Sequence, residues 1–153
     1  MIFDPHHNPC QRIEDMLEAI ASIKASVSGV TYDQFLANRE KRQSVAYDIE
    51  IIGEAANSID KSVQEKYPAI PWGDFIGMRN VLIHGYIKTN WQTVWNTATT
   101  EMDLLEANLK DIQAAFPWPL PYDMVTRAEG DARRRPGEAG TCGDPRHQGA
   151  RTS

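Results

Sequence analysis

Apolar residues recur at three- and four-residue steps through most of the chain and no segment alternates convincingly with period two, so helices rather than strands are its building blocks. Ile13, Met16, Leu17, Ile20, Ile23 and Val27 form the stripe of a first helix, which Ser28-Gly29 stops. Thr31 to Leu36 opens a short turn or helix. From about Arg39 to Ile59, Val45, Ile49, Ile52, Ala56 and Ile59 share one face of a second long helix, where Gly53 stands out as a weak helix former. Lys61 to Tyr67 reads as one more short helical segment, and the prolines of Pro68-Ala-Ile-Pro-Trp72 force an extended connection before a third helix begins near Trp72. A fourth helix runs from about Trp91 to Ala115, with Val94, Ala98, Met102, Leu105, Leu109 and Ile112 on its stripe. The expectation is an all-α fold, an antiparallel four-helix bundle with short extra helical segments, built from residues 1–120.

Pro117, Pro119 and Pro121 break the last apolar pattern, and from Thr126 to Ser153 there is no Val, Ile, Leu, Met, Phe, Trp or Tyr. A segment of that composition cannot bury enough apolar surface to offset the entropy of ordering it, so residues 121–153 are expected to be a disordered Arg/Gly/Pro-rich tail. Its Arg133-Arg134-Arg135 run could touch RNA or an acidic partner, but a solvated tail is the preferred reading. Sixteen Lys and Arg against 21 Asp and Glu give a net charge of -5, which argues against broad attraction to nucleic acid but not against a local basic pocket. No apolar run approaches the roughly 20 residues that cross a bilayer, and the start lacks a secretory pattern, so a cytoplasmic chain with no membrane partner is expected. Cys10 and Cys142, the two cysteines, form no C-x-x-C pair, which argues against a disulfide framework and against a cysteine zinc site.

The chemistry is concentrated in Gly77-Met-Arg-Asn-Val-Leu-Ile-His-Gly-Tyr86, which places a guanidinium, an amide, an imidazole and a phenol close together on a predicted helix. At about 100° per residue, Phe75, Met78, Val81, Leu82 and Gly85 fall on one arc, assigned to the bundle core, and Arg79, Asn80 and His84 on the opposite one. Ile76, Ile83 and Ile87 are interspersed with the polar set, which suits a partner surface better than a solvated face. In a twofold dimer two Arg79 and two His84 would converge at one cleft, which reconciles an acidic chain with a phosphate site. Histidine moves protons near neutrality, and arginine matches phosphoryl oxygens with a planar fork. Together they suit RNA cleavage by a 2'-hydroxyl without a metal or other cofactor, since His6, His7 and the carboxylates show no divalent-ion spacing. From spacing alone, a His and an Arg serving a buried structural network remains the preferred reading. Asn80 could orient the imidazole or bind phosphate, or cap a backbone group. Glu54 could pair with Arg79, position His84, or sit exposed at a dimer rim. Trp72, Trp91 and Trp95 could stack on bases or, as preferred here, belong to the core.

Arg79-Asn-Val-Leu-Ile-His84-Gly-Tyr86 has an R-x4-H-x-Y pattern that resembles the HepT toxins of the HEPN superfamily. Arg12-Ile-Glu-Asp-Met-Leu-Glu-Ala-Ile20, Ile51-Ile-Gly-Glu-Ala-Ala56, Ile70-Pro-Trp72, Gly77-Met-Arg-Asn80 and Val94-Trp95 resemble family blocks in the same order, over roughly residues 10–112. The ordered set reverses the preference for a structural role. It implies a HEPN-like bundle, a homodimer, and a metal-independent endoribonuclease site in which Arg79 and His84 are catalytic; Asn80 and Glu54 are candidate supporting residues, with the alternatives above left open. It also implies a toxin-antitoxin pair in which an MntA-type nucleotidyltransferase transfers AMP from ATP onto Tyr86; Tyr86 as a packing or capping aromatic is the plainer alternative. The substrate class would be RNA, tRNA or mRNA, with no base-reading element evident. A non-catalytic subunit that binds nucleotide or RNA and docks a nucleotidyltransferase is the competing function. Relatives often carry Asp where Asn90 stands, although Asn can also cap a helix.

Overall fold

The computed structural model describes residues 9–85 and 88–116. Among these, seven helices and no strand are present: α1 (Cys10–Val27), α2 (Tyr32–Ala37), α3 (Arg39–Ser58), α4 (Lys61–Lys66), α5 (Trp72–His84), α6 (Trp91–Thr100) and α7 (Met102–Ala115). The fold is all-α and HEPN-like, with α2 and α4 as the short additions to the long helices. The segment from residue 117 onward, including the Arg-rich run, lies outside the described residues.

Local chemistry marks each boundary. Beyond α1, Gly29 turns the chain at a φ of +69°, a left-handed conformation that glycine adopts without a Cβ penalty. Thr31 and Gln34 make a reciprocal capping box at the start of α2. Asn38 ends α2 and at once begins α3, its Oδ1 accepting the Lys41 N–H at 3.0 Å. Asp60 caps α4, and the Gln64 amide donates to the Ala56 and Ile59 carbonyls at 2.9 and 3.1 Å, so α4 satisfies the C-terminal end of α3. Asn90 caps α6 through the Thr93 N–H at 3.2 Å, taking the capping role open to Asp at that position.

Helix α3 is the centre of the molecule, packed most extensively against α1 and α5. Ile13, Met16, Ile20 and Ile23 of α1 meet Ile49, Ile52 and Ala56 of α3 in a core that Leu109 and Ile112 of α7 complete. Phe35 anchors α2, its ring lying 5.1 Å from that of Trp95 and 6.3 Å from that of Trp91, while the Arg42 guanidinium sits over Trp91. Trp72 is buried and donates its indole N–H to the Tyr67 carbonyl at 3.1 Å. Trp72, Trp91 and Trp95 therefore pack the bundle.

Two features differ from the sequence expectation. The single rod from Trp91 to Ala115 is divided at Glu101 into α6 and α7. The Thr99 and Thr100 hydroxyls donate back to the Trp95 and Asn96 carbonyls at 2.8 and 2.6 Å, and such bonds compete with the helical ladder and bend it. Cys10 is disulfide-bonded rather than a free thiol, since a disulfide needs no C-x-x-C spacing. Among the residues of α3 that face the core is a charged one, Asp48.

Burial pushes the Asp48 carboxyl above the usual carboxylate range, a hydrogen bond from the Ser22 hydroxyl offsets this only in part, and Oδ2 has no partner. The native state thus holds this proton more tightly than the unfolded chain. Its contribution to stability falls as pH rises from the ordinary aspartate value through the raised native one, and stays low above it. Asp48→Asn, which removes the charge and keeps an oxygen for Ser22, is expected to raise the urea midpoint at neutral pH, with a gain that shrinks towards about pH 4. Equal midpoints at neutral pH would count against a strained carboxylate.

Candidate active site

Helix α5 turns Phe75 and Leu82 into the core and leaves Asn80, Ile83 and His84 on the surface. Arg79 and His84 are five residues apart, which on a helix is about 140° of rotation and about 7.5 Å of rise, so they flank a common face. Val81, assigned to the core arc by its register, is instead 54% exposed, and Ile83 is 45% exposed. Helix α5 ends at His84 with Gly85 as its C-cap, and the neighbouring elements bury Trp72, Phe75 and Leu82 while leaving Val81 and Ile83 exposed. The mixed surface of aliphatic and polar side chains read from the sequence is therefore real and wider than expected. Ile87, the last of the interspersed isoleucines, lies outside the described residues.

Arg79 is held on two sides. Its Nη2 is 2.6 Å from Glu54 Oε2 on α3, and its Nη1 donates to Asn80 Oδ1 at 2.9 Å. Each terminal nitrogen keeps a second N–H, so the fork can still take up phosphoryl oxygens while Glu54 and Asn80 restrain it. Nε is enclosed without a partner, which fixes the side chain by packing as well as by charge. Glu54 thus makes the pairing with Arg79 that was one of its three sequence readings, and Asn80 accepts a hydrogen bond from the same guanidinium. His84 is exposed at the last position of α5. Tyr86 lies outside the described residues.

One residue of this site carried only a weak sequence signal. Gly53 precedes Glu54 on α3 and faces α5; a Cβ built there would lie 2.3 Å from Arg79 Cβ and 2.6 Å from the Phe75 carbonyl oxygen. A glycine inside a long amphipathic helix was the visible clue to close backbone approach.

A cavity of about 410 Å³ lies between α5 and the start of α6, lined by Met78, Val81, Leu82, Thr93 and Val94 among others. Arg79, Asn80, His84 and Glu54 do not line it; Arg79 is half-buried against Glu54 and Asn80, and His84 is exposed separately at the end of α5. Among the described residues, no three His, Cys, Asp or Glu side chains are grouped so as to hold a metal ion, and no helix is long and apolar enough to cross a membrane.

Comparison with known proteins places these features. The protein named "Putative RNase MJ1216" of Methanocaldococcus jannaschii is 37% identical over 103 residues, 65% of this chain and 85% of the relative. "Putative RNase TTE0752" of Caldanaerobacter subterraneus subsp. tengcongensis is 31% identical over 104 residues, 68% of this chain and 93% of the relative. "Probable ribonuclease HepT" of Thermococcus cleftensis is 29% identical over 101 residues, 66% and 92% of the two chains. No solved structure matches the chain. The profile of the family described as Ribonuclease HepT-like matches residues 16–112, which takes in α3, the Arg79-to-His84 segment and most of α7, and the chain belongs to that family.

Proposed function

We propose that this protein is an endoribonuclease, the toxin of a toxin-antitoxin pair, that cleaves RNA through attack of a ribose 2'-hydroxyl on the adjacent phosphate. The observation that carries the reading is the Arg79 guanidinium, restrained by Glu54 and Asn80 on a helix that ends in an exposed His84, in a chain of the HepT-like family. His84 would take the 2'-hydroxyl proton or deliver one to the leaving 5'-oxygen, while Arg79 stabilises charge developing on phosphorus. The oxygen–phosphorus bond to the 5'-oxygen breaks as the 2'-oxygen bond forms, leaving a 2',3'-cyclic phosphate. These groups suffice without a metal. A twofold dimer that apposes the exposed Val81, Ile83 and His84 faces would bury the aliphatic side chains and bring two copies of the Arg79 and His84 pair to one RNA strand.

Regulation belongs to the same reading. Tyr86 is two residues past His84, a chain distance of at most about 7 Å, so a group attached to it stays within reach of the imidazole. The partner is a nucleotidyltransferase antitoxin of the MntA type: the Tyr86 phenolic oxygen attacks the α-phosphate of ATP, pyrophosphate leaves, and the resulting adenylate places negative charge where RNA must enter.

Purified protein is expected to cleave tRNA or mRNA in the presence of a chelator. His84→Ala and Arg79→Ala should each lower the rate by about 100-fold or more while keeping the helical circular-dichroism spectrum. Undiminished cleavage by His84→Ala sinks the assignment, and RNA bound without turnover by the wild type points to the non-catalytic subunit instead. Incubation with the cognate nucleotidyltransferase and ATP should add adenylate to the wild type and none to Tyr86→Phe, as read by intact mass. Undiminished labelling of Tyr86→Phe would remove Tyr86 as acceptor.

A further inference from the structure

We propose that Gly53 is a positioning residue for Arg79, an inference that rests on the catalytic reading of Arg79. Backbone conformation does not call for glycine here: Gly53 lies within α3 and has no positive φ, and alanine would favour the helix. Space does call for it. A Cβ at residue 53 would stand 2.3 Å from Arg79 Cβ, 2.6 Å from the Phe75 carbonyl oxygen and 3.1 Å from Arg79 Cγ. Two of these atoms belong to the stem of the arginine and the third is backbone of its own helix, so no flexible side-chain tip can move aside. The missing side chain lets the Arg79 stem lie directly on α3. There the next residue, Glu54, takes the guanidinium at 2.6 Å and the enclosed Nε is kept from solvent. Gly53 sets where the stem starts, and Glu54 sets where the fork ends.

The test is Gly53→Ala in the full chain, read by kcat and KM for RNA cleavage and by hydrogen exchange of the Arg79 Nε–H in nitrogen-15-edited NMR. In the wild type that proton is expected to exchange about tenfold or more slowly than an exposed arginine. In Gly53→Ala the protection should be lost and kcat should fall by about 100-fold, with KM changed by no more than about threefold. Ile112→Val, a distant core change, should lower thermal stability with kcat preserved, which separates positioning from loss of fold. A folded Gly53→Ala protein with the Nε–H still protected and kcat intact overturns the proposal. Glu54→Gln supplies a second reading that does not depend on Gly53→Ala folding: the contact at Gly53 should keep the Nε–H protected, and loss of protection would show that charge rather than packing seats the arginine. Should the wild type cleave no RNA, the functional reading fails, while the exchange measurements still decide the role of Gly53.

Discussion

The close approach of α3 to α5 is the constraint on which the rest of the structure depends. Helices normally pack with axes 8–10 Å apart because side chains stand between them. At Gly53 one of those side chains is missing, and the stem of Arg79 fills the space. The same contact joins the packing of the bundle to its candidate chemistry. On one side of α3, Ile49, Ile52 and Ala56 build the core against α1; at Gly53 and Glu54 the helix receives an arginine from α5 and neutralises part of its charge.

This arrangement keeps a cation half-buried in an acidic chain without isolating it from water. Arg79 exposes about a quarter of its side chain and Glu54 about half, so the pair is screened and is not a strong source of stability. Its value is geometric. A guanidinium tethered by a carboxylate and an amide loses much of its rotamer freedom, and under the proposed function the ordering that would otherwise oppose RNA binding is already in place.

Much of the fold was legible in the sequence because burial in a bundle imposes a period. The stripes of α1 and α3 became buried faces at Ile13, Met16, Ile20, Ile23, Ile49 and Ile52, and Gly29 turned the chain where it was expected to. The failures have local causes. Threonine hydroxyls dividing α6 from α7 compete for carbonyls in a way that apolar spacing does not record. Val81 carries a core-like register but meets no neighbouring element that covers it, and Asp48 is a charged residue type placed where the stripe alone would have put an apolar one. Within the candidate site, residue types made Arg79, His84, Asn80 and Glu54 the candidates, while the pairing of Glu54 with Arg79 required knowing which helices touch. The importance of Gly53 was the least visible, since a missing side chain leaves its mark only on the neighbour that occupies its place.

Asn38 has a mechanical consequence. It terminates α2 and starts α3 with no spacer, so a single residue's pair of backbone torsions is the whole joint between them. Phe35, wedged against Trp91 and Trp95, clamps the short arm of that elbow to α6. The long arm bears Gly53 and Glu54, so this joint ties the aromatic wedge and the seat of Arg79 into one continuous stretch of backbone.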